Sequence, residues 1–322
     1  MNLPDYSISQ RSLHPHVARK LSHTTKSIPM MESITPRWLL NFMPWVAVEA
    51  GVYSVNKIKK HPGENEANDF IEKAIELCSD HWEEYDLPQT YPDYEERPSE
   101  YILSLIQTIL KVNSNVTDIF NSPINQLQEQ MRLTIESMKE RQEWELINNK
   151  DFGLINQVAP SMKVRPRKGA PTPDDLDELL AKVWKKPAYF LAHPKAIAAF
   201  GRECTRRGVP PATVNLYGSP FITWRGVPLI PCDKLLVDGR NNPTSNILLM
   251  RVGEKEQGVI GLHQPGIPDE TDIPSLSVKF GGIDNMGITS YIMSLYFSIA
   301  VLSDDALGML ENVEVGSYYD YV

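Results

Sequence analysis

The chain has 322 residues, 42% hydrophobic and 23% charged, with a net charge of −9 at pH 7. Length and composition are those of a soluble globular protein of about two domains. The acidic balance argues against nucleic acid as a partner, and the longest mostly apolar stretch, Tyr291–Leu302, is too short to cross a bilayer as a helix, so no membrane is expected either.

The charge is unevenly spread. Between Glu64 and Glu100, thirteen acidic residues stand against Lys73 and Arg97, a local net of −11 that leaves +2 for the rest of the chain. Such a run is either a solvated face or an exposed acidic lobe that keeps particles apart. Cys78, Cys204 and Cys232 are scattered and form no CxxC, which excludes a disulfide framework or zinc site and points to a reducing cytoplasm. The first twenty residues hold no apolar run of secretory type.

In chain order, residues 1 to about 36 are polar, mildly basic and broken by Pro4, Pro15, Pro29 and Pro36. Alone, such an arm buries too little apolar surface to offset its ordering entropy, so it is a frayed terminus or lies across a neighbour. Trp38–Val55 reads as strand from the alternation of Val46, Val48, Ala50 and Val52. Glu66–Glu84 reads as a helix. Tyr101–Phe120 is rich in β-branched residues and reads as strand, with a helical start left open.

The strongest single signal is a long helix from Ser122 to about Asn148, with Ser122 as N-cap and Pro123 at the first helical position. Ile124, Leu127, Met131, Ile135 and Met138 fall on one face and the other is rich in Glu, Gln and Arg. Its length is roughly 40 Å. Without a partner helix of similar length it suits the spine of a flat, elongated subunit, or else the core of an ordinary α+β domain.

A basic loop, Lys163–Pro173, leads to a helix capped by Thr172 with Pro173 first and Asp174 and Asp175 at its positive end. The strand AYFLAH precedes a helix from Pro194 to about Arg207, stopped by Gly208. Phe221–Trp224 and Val227–Ile230 flank Arg225-Gly226 as a hairpin. Ile247–Val252, Val259–Leu262 and Gly287–Leu302 read as strands, Asp304–Leu310 as a short helix, and Glu311–Val315 as a last strand.

Catalytic motifs are nearly absent. Asp151-Phe152-Gly153 matches the kinase triplet, but no Gly-rich loop, V-A-I-K lysine or H-R-D loop accompanies it. No GxxxxGK[ST], GxSxG or HExxH occurs. His193, Cys204 and Cys232 are the residues through which an enzyme of this chain would have to act, and each is more simply structural. No catalytic, cofactor or metal residue is therefore assigned, and the chain reads as a structural protein rather than an enzyme.

The order of parts, an arm, a strand, a variable loop, a strand, a spine helix, an α/β lobe and a returning strand, resembles the Hong Kong 97-type capsid fold of tailed phages. The phrases TTKSIPMMESITPRWLLNFMPWVAVEAGVYSVN, QLQEQMRLTIESMKERQEWELINNKDFGLIN, PTPDDLDELLAKVWKKPAYFLAHPKAIAAFGRECTRRG, QGVIGLHQPGIPDE and DALGMLENVEV resemble the second family of encapsulins, protein nanocompartment shells. Some members carry a cyclic-nucleotide-binding domain after the phrase that here is Tyr53–Asn56. Only about 45 residues follow it here before the Tyr101 strand, so the chain is similar to the insert-free branch, 2A.

The resemblance implies an α+β capsid fold with an N-terminal arm at 1–37, a peripheral-domain strand at 38–56 and an extended loop at 57–100. It implies peripheral domain with the spine at 101–170, an axial domain at 171–270, and returning strands at 271–322. It also implies a homo-oligomeric icosahedral shell of about 60 subunits in the bacterial cytoplasm, enclosing a cysteine desulfurase. The shell itself would need no cofactor; pyridoxal phosphate would belong to the cargo. The segment Gly208, Val209, Pro210, Pro211, Ala212, Thr213, Val214 and Asn215 matches the position that rings the five-fold pore, and being uncharged would gate by size. A capsid that packages DNA is the structural alternative, and a surface turn is the plainer reading of the loop.

Overall fold

Arg37 takes a left-handed backbone, φ 47°, and a single helical turn follows it, α1 (Trp38–Phe42). The computed structural model describes residues 35–56, 94, 97–113, 126–239, 242–266, 275–285, 287–316 and 318. The expected continuous strand over Trp38–Val55 is thus broken into α1, β1 (Trp45–Ala47) and β2 (Val52–Val55), with Gly51 at φ 74° between the two strands. The two strands find different partners, which a shared alternation cannot reveal. The expected arm up to residue 34, the helix at Glu66–Glu84 and the start of the spine at Ser122–Asn125 lie outside the described residues.

Next come β3 (Ser99–Ile102), β4 (Ser104–Asn113), α2 (Gln126–Asn148), α3 (Leu154–Gln157), β5 (Lys163–Val164), α4 (Pro173–Lys182), β6 (Tyr189–Ala192) and α5 (Pro194–Arg206). They are followed by β7 (Ala212–Leu216), β8 (Ser219–Trp224), β9 (Val227–Pro231), β10 (Thr244–Met250), β11 (Val259–His263), β12 (Leu276–Ile283), β13 (Ile288–Val301) and β14 (Leu307–Glu314). Residues 50–102 form one compact unit and the remaining chain another.

Within the smaller unit, β2 and β3 make a two-stranded antiparallel ribbon. Val52 opposes Ile102, both exposed at 39% and 67%, while Tyr53 opposes Tyr101. Two strands alone are marginally stable in water.

Among its described residues the larger unit holds two sheets. The first runs β1-β11-β13-β12, with β4 also paired to β13. β4 pairs with Ile288–Phe297 of β13 and β12 with Thr289–Leu295, so β13 is flanked on both edges there. Met293, Leu295, Phe297, Ile299 and Val301 are buried, as their alternation implies. Ser294, Ser298 and Ala300 on the other face are buried too, so this strand has no polar, solvated side over that stretch.

α2 packs on β4 and β13. Its burial is greatest toward the C-terminus, at Leu146 and Ile147, whereas Leu127, Met131 and Ile135 are only half-covered. Gln130, Gln142 and Glu143 are buried as well, so the polar face expected of this helix is partly inside the molecule.

The second sheet runs β5-β14-β10-β6-β9-β8-β7, with β6 parallel to β9 and β10 between β14 and β6. α4 and α5 pack on it through fully buried Leu176, Leu179 and Phe200. The expected cap of α4 is a full capping box. Thr172 donates its amide and hydroxyl to Asp175 Oδ2 at 3.0 and 2.7 Å, and the Asp175 amide donates to Thr172 Oγ1 at 3.3 Å. A Cβ on Gly308 would lie 2.8 Å from Leu179 Cδ1, so glycine in β14 is what lets α4 approach this closely.

Two expectations change here. Val259–His263, read with the α/β lobe, pairs with β1 and β13 in the first sheet. Asp304–Leu310, read as a helix, is one short 3-10 turn at Asp304–Ala306, and β14 already begins at Leu307. Leu307–Leu310 pair with Met250–Ile247, and that ladder overrides the local helical spacing.

Candidate pore loop and assembly surfaces

α5 starts and stops as its sequence implies. His193 Nδ1 accepts the Lys195 amide at 3.0 Å, and Pro194 fills the first position. At the other end Gly208 takes φ 71°, its amide reaches the Thr205 carbonyl and the Val209 amide reaches the Cys204 carbonyl, both at 3.0 Å. This is a Schellman closure, which needs the left-handed glycine. It aims Gly208, Val209 and Pro210 into solvent, all exposed.

The rest of the expected pore loop is different. Ala212–Leu216 is β7, paired with β8 from Ala212↔Thr223 to Leu216↔Ser219 and lying at the end of the second sheet. So Ala212, Thr213, Val214 and Asn215 are strand residues, and only Gly208, Val209, Pro210 and Pro211 form the loop. Tyr217 and Gly218, at φ 48° and 75°, make the turn of this hairpin, just as Arg225 and Gly226, at φ 49° and 85°, make the next. The missed hairpin carries the same residue-then-glycine signature as the recognised one. Tyr217 also packs on Phe42 and Trp38 at centroid distances of 5.0 and 6.4 Å, tying the turn to α1.

Charges beside the loop are mutually engaged. Glu203, 2% exposed, accepts from Arg206 and from Arg207 Nε. Arg207 also reaches Asp174 at 3.1 Å, and Arg225 reaches Asp177 at 3.0 Å. The uncharged loop therefore sits among balanced pairs rather than a field of one sign.

The residues weighed as nucleophiles are not poised for chemistry. Burial pushes the Cys204 thiol up to about 11 and the Cys232 thiol well above its ordinary range, so neither supplies a thiolate. Burial also lowers His193, whose Nδ1 is occupied in capping. Among the described residues, Glu143, Cys232 and Asp233 bring ligand-type atoms within 4.8 Å of one another. Lys234 bonds Asp233 at 2.8 Å, so one carboxylate of this group is already held in an ion pair.

Apolar surface is left open in several places: Leu105 and Ile109 on β4, Phe280 and Ile283 on β12, Trp184 after α4, and the Val52–Ile102 pair of the ribbon. A cavity of about 350 Å³ lies between α1, α2 and the first sheet, lined by Trp45, Ile135, Met138 and Leu295 with Lys139 and His263 at its polar side. No described helix is long and apolar enough to cross a membrane.

A family model described as "Type 2A encapsulin shell protein SrpI-like" matches residues 60–317. The type 2A encapsulin shell protein SrpI of Synechococcus elongatus is 53% identical over 312 residues, 97% of each chain. A type 2A encapsulin shell protein of Mycobacterium leprae is 49% identical over 305 residues, 94% of this chain and 95% of that one. The cryo-electron-microscopy structure of the holo-SrpI encapsulin complex from Synechococcus elongatus superposes with a TM-score of 0.78 at 52% identity, covering 96% of this chain and 99% of that chain. The capsid of a native GTA particle, at 13% identity, a TM-score of 0.58 and coverage of 90% and 93%, shares the fold alone. The fold is that of the Hong Kong 97-type capsids, and the chain belongs to the type 2A encapsulin shell proteins.

Proposed function

We propose that copies of this chain close into an icosahedral shell of about 60 subunits in the bacterial cytoplasm, and that the shell encloses a cysteine desulfurase serving sulfur metabolism. The observation that carries the assembly reading is the β2–β3 ribbon, a two-stranded element whose facing Val52 and Ile102 stay exposed in the single chain. Burying such surface is what assembly offers: about 1,000 Å² of apolar area per subunit contributes on the order of 25 kcal/mol, above the usual costs of association. Closed symmetry then repeats each contact around the particle.

The cargo reading rests on the resemblance to branch 2A, and pyridoxal phosphate would come with the cargo enzyme, not the shell. Gly208–Pro211, projected from the end of α5, is the loop proposed to ring the five-fold pore, acting by size because its neighbouring charges are paired. Purification from the native cell, followed by gel filtration, negative-stain imaging and mass spectrometry, tests all three levels. Hollow megadalton particles with one abundant desulfurase are expected. Lone subunits under every native buffer would remove the shell reading, a different passenger would replace the cargo, and packaged nucleic acid would favour the capsid alternative.

A further inference from the structure

α2 carries two neighbouring stripes with opposite fates. Glu136, Glu140 and Glu143 are spine carboxylates engaged by the short segment Thr35–Leu39. Arg37 donates to Glu136, the Thr35 amide and hydroxyl donate to Glu140 at 3.1 and 2.6 Å, and the Leu39 amide donates to Glu143 at 3.3 Å. Lys234 adds an ion pair to Glu140 at 2.8 Å. Ile135, Met138, Lys139 and Gln142, at i, i+3, i+4 and i+7, form the second stripe. They line the cavity of about 350 Å³ between α1, α2 and the first sheet.

Polar groups on this wall go unanswered. Gln142 is 6% exposed, yet its carboxamide has no hydrogen-bond partner among the described residues. Ser275, also 6% exposed, keeps a buried hydroxyl without a partner. Its backbone is left-handed at φ 69° and is pinned on both sides: its amide donates to the Gln264 carbonyl and its carbonyl accepts the Tyr296 amide, each at 2.9 Å. Holding a serine there costs free energy that the surrounding bonds must offset. Lys139 forms no ion pair among the described residues, because the acids one turn away are turned elsewhere, Glu136 to Arg37 and Glu143 to the Leu39 amide. No Asp or Glu lines the cavity, and its other cation, Arg37, is spent on Glu136. Buried polar groups in native proteins are nearly always paired, so unmatched groups around one space point to a ligand.

The opposite wall is apolar and preformed. Trp45 Nε1 donates to the Leu40 carbonyl at 3.0 Å, and the indole lies on β11, where a Cβ on Gly261 would come within 2.6 Å of it. Glycine at that position is what admits the ring. A wall fixed in advance spares a ligand the cost of ordering it.

We propose that this cavity is a binding site for a small organic carboxylate, its apolar body packed on Trp45, Met138 and Leu295, its acid group on Lys139, with Gln142 as a neighbouring donor. The volume lies at the lower end of small-molecule sites and suits a ligand of about ten non-hydrogen atoms. An organic cation is disfavoured by Lys139 and Arg37, and a neutral body leaves the Lys139 ammonium unanswered. All of these residues belong to the larger unit, so occupancy does not require assembly.

Equilibrium dialysis of the purified full-length protein against labelled octanoate tests this, with octanol, the same chain without the charge, as the comparison. Octanoate should saturate at one per chain with half-saturation of roughly 0.1–1 mM, as expected for a ligand of this size. Octanol should bind about tenfold more weakly. Lys139→Met removes the charge, keeps the apolar stem and orphans no partner, so the fold should survive, as circular dichroism would show; its half-saturation should rise about tenfold and Lys139→Arg should restore most of the loss. Gln142→Leu should cost about threefold. No saturable uptake up to about 10 mM, equal uptake of octanol, or a Lys139→Met variant that binds like the wild type overturns the proposal.

Discussion

The second sheet with α4 and α5, and the β2–β3 ribbon, solve the burial problem in opposite ways. The sheet encloses its apolar side chains within the chain: Phe190, Leu191, Phe200, Ile247 and Leu248 are all fully buried. The ribbon is held by main-chain pairing and leaves Val52 and Ile102 facing outward. The first is a finished core; the second, on the function proposed above, is finished by a neighbouring copy. In a shell protein that division is functional, because a subunit must fold before it meets its neighbours and must keep apolar surface in reserve for them.

The comparison breaks most sharply at Ile102. Ile102→Asp places a charge where an assembled contact would exclude water, while the ladder from Val52 to Val55 and the Tyr53–Tyr101 pair remain. Loss of the large particle on gel filtration with an unchanged circular-dichroism spectrum is expected. Intact particles would mean that the ribbon is not an assembly surface.

Phe200→Ala attacks the other region. Phe200 is fully buried and meets Trp224 edge-on at 5.5 Å. The cavity left behind costs roughly 3–5 kcal/mol, so the chain itself should melt earlier, whether or not it has assembled. Thermal unfolding read by near-ultraviolet circular dichroism distinguishes this from the pure assembly defect at Ile102.

How much of this was legible in the sequence follows the same division. α4 and α5 carry their own start signals, Thr172-Pro173 and His193-Pro194, and α5 also its stop at Gly208, so these limits are legible locally. α1 could not: five residues hold too little periodicity, and what fixes it is the row of spine carboxylates a hundred residues away. The second half of β14 is legible as the strand from Glu311, but its first half is hidden because Leu307 and Leu310 have helical spacing until β10 pairs with them. β7 was hidden because an uncharged segment after a helix was read for its place in a pore, although Tyr217-Gly218 marked the turn beside it. A pore is made by several copies, so no pattern within one copy encodes it.

A smaller effect is expected at Asp305, which anchors the turn before β14. It bonds Arg251, whose side chain is 4% exposed, at 2.7 Å, as well as Lys185 at 3.0 Å and the Ser303 hydroxyl. Despite the opposing effect of its burial, these partners hold its carboxyl well below the ordinary 3.8. A depressed carboxylate contributes stability that is present above 3.8 and is lost as pH falls below it. Asp305→Asn should therefore cost about 2 kcal/mol at neutral pH, by leaving a buried guanidinium short of its counter-charge, and should soften the acid limb of the melting profile. An acid limb as steep as in the wild type would assign that sensitivity to other carboxyls.

Thr172→Ala is the mildest of these tests and probes whether the finished core depends on its local signals. The substitution removes the hydroxyl that accepts the Asp175 amide and donates to Asp175 Oδ2, but spares the bond from the Thr172 amide and that from the Arg167 amide to Asp175 Oδ1 at 3.2 Å. About 1 kcal/mol is the usual cost of losing such a cap. Because Leu176 and Leu179 stay packed under β14, α4 should remain helical and the loss should show as a melting shift of a few degrees with particle size unchanged. A larger shift would mean that Asp175, buried with no cation bonded to it among the described side chains, relies on the hydroxyl more than on the two amides.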